Sequence, residues 1–475
     1  MSMYLWALLA AIPVVGILYA TGLLQKLFRL IYGDFEPAER NKFLLYGTLF
    51  FFIIGIYWSL RCVKDAIFSS FIGADYIWQA KILSMFVVFP IVILYSYLVD
   101  LFPRHRLFYA LSVIYSTLFV GLSWFLTNES YGVYAPQGAR WRLLGWVSYI
   151  VIESFGSLLP ALFYSFMADT TTPESGKKGF FITATFAQVG AIIGSGVVAV
   201  RSACWGVPFC VRLAGFAVLA IIPVVAFINW AIPKAALAGY QAKGEEKTKA
   251  GFWEGVRLLV TQPYLLGIFV VVFSFEAVVT IMDLQFKIFI GQATKAGGAS
   301  AFAGIAGGFG TMVSTVALIS LLLGIGNIGR KIGIRLSLAL IPVLIAGGVV
   351  LMYFASGSPQ ALWYAFWVCV FAKAINYALG QPSKEQLYIP TSKDAKYKSK
   401  ALLEMFGGRS SKASGAAVMG LKQWMDKASA LAGSVGHGLF FITAASLGVC
   451  AFWFAVALYL GKRNRQAVER NEVVC

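Results

Sequence analysis

The chain has 475 residues, of which 59% are hydrophobic and 13% charged, and a mean hydropathy of +0.76. Soluble domains carry about 25% charged residues, so a soluble enzyme is excluded. The formal charge of +18 divides between topology and attraction for an anionic substrate.

A membrane-crossing helix needs about 20 apolar residues. The chain opens on Tyr4–Leu24, an apolar stretch ending in Lys26 and Arg29. It reads either as a thirteenth crossing or as an interfacial helix; no cation precedes it, which argues against a cleaved signal. Twelve spans follow, near residues 43–60, 82–102, 107–127, 143–168, 180–200, 213–232, 264–290, 302–325, 333–354, 361–380, 401–424 and 438–461. The expected fold is an all-α polytopic membrane protein of the major-facilitator type, with two six-helix halves. Its expected divisions are an N-terminal helix and basic linker (1–40), halves at 41–232 and 259–462, a basic linker (233–258) and a tail (463–475). With both ends of the core inside, twenty-four Lys and Arg fall on inner segments and eleven on the outer ones, as the positive-inside rule requires.

A charge at mid-bilayer costs about 2.5–3.5 kcal/mol on insertion scales, so it faces a cavity or a partner. Arg61 and Lys64 lie three apart near the end of span one, and Glu153 sits in span four. Span seven carries Glu276 and an i,i+4 pair, Asp283 and Lys287. Lys384 and Glu385 follow span ten; Glu404, Arg409 and Lys412 belong to span eleven. Spans one, four, seven and ten are the symmetry-related cavity helices of a six-plus-six transporter. Taken singly, each charge reads equally as a snorkelling end residue or a structural ion pair; their common placement favours a site. Arg61, Lys64, Lys287 and Lys384 are the candidate phosphate contacts. Glu153, Asp283 and Glu385 would balance or couple charge. Trp58, Phe155 and Tyr164 are candidates for stacking on a base. Pro382 offers no N–H to the carbonyl of Ala378, predicting a bent helix end there.

Other chemistries lack material. No P-loop spacing occurs, and the single P-x-E-x-x-K (Pro37–Lys42) lacks the repeats that such carriers need. His105 and His437 are isolated, so neither metal binding nor catalysis is expected. Cys204 and Cys210 share a short loop and could pair in an oxidising compartment; the other four cysteines read as packing residues.

The stretch NYALGQPSKEQLYIPTSKDAKYKSKA, followed by GGRSSKASG, resembles the signature of the nucleotide transporters (ATP:ADP antiporters) of plastids and intracellular bacteria. YWSLRCVKD is similar to that family's R-x-x-K-D of helix one, ESFG to its E-x-W/F-G of helix four, and the segment ending IMDLQFK to its helix seven. The resemblance implies that the four important intramembrane charges are Lys64, Glu153, Asp283 and Lys384. The chain departs in Asp283, where glutamate is usual, in Cys62, where aspartate is usual, and in the extra N-terminal stretch. It implies a non-enzymatic secondary transporter that exchanges ATP for ADP by alternating access, without a cofactor. Inorganic phosphate stays open as a further substrate. The expected setting is a lipid bilayer, a bacterial inner membrane or a plastid-type envelope, with a cytoplasmic C-terminus, a monomeric state and no nucleic-acid partner. Proton-coupled symport, transport of another nucleotide, and a non-transporting membrane protein are the alternatives.

Overall fold

The computed structural model describes residues 36–136, 138–171, 173–232, 257, 259–323, 333–388, 390–391, 407–431, 437–470 and 472–474. The Tyr4–Leu24 stretch, most of the 233–258 linker and Glu404 lie outside these residues.

Among the described residues the protein is helical, with no strand. The helices are α1 (Pro37–Phe71), α2 (Ile77–Leu101), α3 (Arg104–Thr127), α4 (Arg142–Asp169), α5 (Pro173–Trp205) and α6 (Val207–Ala231), then α7 (Pro263–Ala293), α8 (Gly298–Leu322), α9 (Ile334–Ala355), α10 (Ala361–Ile375), α11 (Gly408–Leu431) and α12 (Gly438–Arg470). Nine of them are long and apolar enough to cross a membrane; α2, α10 and α11 fall outside that group. The expected spans each coincide with a helix. Where they differ, local chemistry explains it. Pro223, lacking an N–H for Leu219, accompanies the interruption of α6 at Ala220. α12 runs beyond the expected span because its polar end is anchored: the Asn464 amide donates to the Tyr264 hydroxyl at 2.9 Å. The end of the expected tenth span is not simply bent. α10 passes into a π-helical turn (Asn376–Gly380) and then a short helix (Gln381–Leu387). The Gln381 N–H reaches back five residues to Asn376, so the helix widens just before Pro382.

Glycine sets the closest approaches. A Cβ on Gly194 would lie 2.0 Å from the Gly55 carbonyl oxygen, and one on Gly190 would lie 2.3 Å from that of Phe51. These contacts bring α1 and α5 backbone to backbone, the use of small residues that membrane helices favour. Gly307 brings α8 against α5 in the same way, 2.5 Å from the Ala199 nitrogen.

The first six helices meet the last six through α5 and α8, and through α2 and α11. Ser195 and Thr311 hydroxyls lie 3.1 Å apart, and Ser202 donates to the Ser300 carbonyl at 3.0 Å. The Trp78 indole donates to the Gln423 side-chain oxygen at 2.9 Å, and the Lys427 ammonium sits 5.2 Å above the Tyr76 ring. The last three of these contacts lie at the end of the bundle that carries the α1–α2 and α7–α8 connections.

Candidate functional site

α1 is the main source of the site. Its segment Trp58–Asp65 faces α4, α7 and α8 rather than lipid, and Lys64 and Asp65 are 5% and 4% exposed. α4 is drawn onto it at Gly156, where a Cβ would lie 2.0 Å from the Tyr57 ring. One turn earlier, Glu153 therefore meets Lys64, with the ammonium 2.5 Å from the carboxylate. The same ammonium lies 4.2 Å from the centre of the Tyr149 ring, a cation–π contact from the preceding turn of α4.

α7 supplies the second centre. Lys287 donates to Asp65 at 2.8 Å and to Asp283, four residues earlier, at 2.9 Å. Asp283 also faces Lys81 of α2 at 3.6 Å and Lys373 of α10 at 3.8 Å. Arg61 stacks on Trp58 at 4.8 Å and lies in the electrostatic reach of Asp283, Asp65 and Glu153. One Asp65 carboxylate oxygen, Oδ1, is buried without a partner. The network thus sets five basic side chains, Lys64, Lys81, Lys287, Lys373 and Arg61, against three carboxylates. Charges buried in low dielectric persist only when paired, so this excess of basic groups is an arrangement suited to an anion.

Lys384 stands elsewhere. The short helix Gln381–Leu387 is held by the Tyr264 hydroxyl, which donates to the Leu387 carbonyl at 2.8 Å. Lys384 lines a cavity of about 360 Å3 bounded by α7, α9, the end of α10, α11 and α12. Glu276 and Lys412 line the same cavity, 3.6 Å apart. Tyr377, in the π turn, lies in the electrostatic reach of Arg61, Glu276 and Lys412. Glu385 is exposed.

The structure therefore brings Arg61, Lys64, Glu153, Asp283 and Lys287 together and sets Lys384 in a neighbouring cavity. The three aromatic candidates separate. Trp58 is covered by Arg61. Phe155 is fully buried between Tyr115 and Phe119, with ring centres 5.2 and 5.5 Å away, and has no open face. Tyr164 packs on Phe50 and Phe180 and is 48% exposed. Cys204 and Cys210 are both free thiols.

Sequence reasoning missed Lys81, Lys373, Asp65 and Tyr149 as members. Lys373 carried the clearest signal, a lone cation in the apolar run of α10. Lys81 lies just before an expected span, where a lysine reads as a topological charge. Among the described residues no cluster suits a metal ion.

The helix plan, with its charges buried between the first and last six helices, defines a membrane transporter fold of the major-facilitator type. Solved structures agree. A POT family transporter in complex with 5-aminolevulinic acid superposes with a TM-score of 0.59 at 11% identity, over 87% of this chain and 96% of that one. A D-xylose-proton symporter gives 0.57 at 16%, over 87% and 95%. The sequence narrows the class: the profile of the TLC ATP/ADP transporter family matches residues 24–464, and the chain belongs to that family. ADP,ATP carrier protein 2, chloroplastic, from Arabidopsis thaliana is 23% identical, covering 92% of this chain and 77% of its own. ADP,ATP carrier protein 1 from Rickettsia bellii is 25% identical, covering 82% and 87%.

Proposed function

We propose that this chain exchanges ATP for ADP across a membrane by alternating access. The observation that carries the reading is the buried network in which basic side chains outnumber carboxylates, built around residues that the family resemblance singles out. Lys64, Lys287 and Arg61 hold phosphates, and Lys384 supplies a further cation from the C-terminal half. Glu153 and Asp283 hold these lysines when no nucleotide is bound, and Glu385 orients Lys384.

The network gives exchange a physical basis. In the substrate-free protein the excess of basic groups resists the desolvation that closing around it requires. A bound polyphosphate removes that barrier, so each reorientation carries a nucleotide. Both central carboxylates are ion-paired to lysines, which favours their balancing charge over their carrying protons. ATP carries one more negative charge than ADP, so one-for-one exchange moves charge and responds to membrane potential.

The twelve helices act as two six-helix halves, 41–232 and 259–462, joined by the basic linker. The positive-inside count supports a cytoplasmic linker and C-terminus; the setting in this reading is a bacterial inner membrane or a plastid-type envelope, with the protein acting as a monomer. In proteoliposomes, uptake of labelled ATP is expected only when ADP is preloaded. Equal uptake into empty vesicles would exclude obligatory exchange, and its loss with a protonophore would favour symport.

A further inference from the structure

A nucleotide offers phosphates and a base, and the buried network serves only the first. Of the three aromatic candidates, Trp58 carries Arg61 and Phe155 is sealed, while Tyr164 packs on Phe50 and Phe180 and is half-exposed.

We infer that the cavity inside the C-terminal helices receives the purine base, with Asn376 and Gln381 reading its edge. The inference rests on the nucleotide-exchange reading and assigns the base end of that same substrate. Three observations carry it. The cavity, about 360 Å3, falls in the range of about 300–1,000 Å3 of small-molecule sites and far exceeds one phosphate. Its walls are apolar and aromatic, with Phe275 and Trp453 packed edge to face at 6.0 Å. The π turn sets two side-chain amides on the wall. Asn376 lies against Gly380, where a Cβ would stand 2.4 Å from its Oδ1, and Gln381 follows at the next position.

Side-chain amides can pair in bidentate fashion with the N6 and N7 edge of adenine. Lys384 and Lys412 mark the polar part of the cavity, so a nucleotide with its base against the apolar wall would keep its phosphates within reach of a lysine that the proposed function already uses.

The test is binding of labelled ATP to the purified full chain, competed by unlabelled ATP, GTP and inorganic tripolyphosphate. Asn376→Ala removes one of the two wall amides. It is expected to weaken ATP about three- to tenfold, the worth of one hydrogen bond, and to leave tripolyphosphate unchanged. Gln381→Ala, on an exposed position of the short helix, is expected to erode the preference for ATP over GTP and decides the matter should Asn376→Ala not fold. ATP and tripolyphosphate weakening by the same factor, or neither changing in both variants, overturns the inference while nucleotide exchange stands. A wild-type chain that neither binds nor exchanges ATP overturns both.

Discussion

Lys287 and Asp65 stand 2.8 Å apart although they belong to α7 and α1, on opposite sides of the 233–256 segment. Both side chains are nearly buried, at 11% and 6% exposure. One lysine thus ties the first six helices to the last six. Asp65→Asn leaves Lys287 paired with Asp283 alone, so the loss falls below the about 3–5 kcal/mol of a buried charge left with no partner. Asp65→Asn is therefore expected to lower thermal stability in detergent, and Asp65→Asn with Lys287→Gln to lose less than the two single variants summed. Additive losses in the double variant would show that the two side chains act independently.

Lys64 and Glu153 are expected to behave differently. Glu153 retains 31% side-chain exposure, so water solvates it partly once Lys64 is gone. Lys64→Ala should cost less stability than Asp65→Asn but reduce labelled ATP uptake by about tenfold or more, the effect of about 1.4 kcal/mol or more of lost interaction. Exchanging the charges (Lys64→Glu with Glu153→Lys) should recover stability without uptake, because the Tyr149 ring would then face a carboxylate. Uptake restored by the exchange would show that only the pair's neutrality matters.

Gly194 and Gly121 make a matched comparison. Gly194→Ala drives a methyl into the Gly55 carbonyl, 2.0 Å away, whereas nothing lies within 4 Å of a Cβ on Gly121. The first should lose about 1–3 kcal/mol or more as α1 and α5 separate. The second should be neutral or gain up to about 1 kcal/mol from helix propensity. Equal melting temperatures would refute this backbone-to-backbone packing.

Trp78 and Gln423 meet across α2 and α11 at one end of the bundle. Cysteines placed at both positions, with the exposed Cys204 replaced by serine, are expected to be bridged by a short bis-maleimide. The bridged protein should stop exchanging labelled nucleotide while each single cysteine variant, treated alike, continues. Unimpaired exchange after complete bridging would mean that this end does not separate during transport.

Much of this was legible in the sequence, for identifiable reasons. Lipid imposes one element type and one length, so apolar runs located the helices closely. The i,i+4 spacing of Asp283 and Lys287 gave a contact that local geometry fixes. Partners from distant helices were not legible: nothing in the local sequence says that Asp283 also meets Lys81 and Lys373, because such contacts depend on how helices are rotated. Lys384 shows the same limit. Its place on the tenth span was evident, but the cavity it lines depends on a π turn, and the rule that a proline removes one helical donor predicts a bend rather than a widening.

That π turn amounts to one extra residue accommodated in a helix. Deleting a single residue from 376–380 would let α10 run on in regular register. Everything after the deletion, Lys384 included, would then keep its present direction, whereas closing the turn into regular helix without a deletion would rotate it by about 100° about the axis. The turn therefore works as a phase setting. It lets the apolar face of α10 stay packed while the lysine that follows points along a direction an uninterrupted helix of this sequence would give to a neighbouring residue. A helix of this same length without the π turn would aim that cation at a different wall.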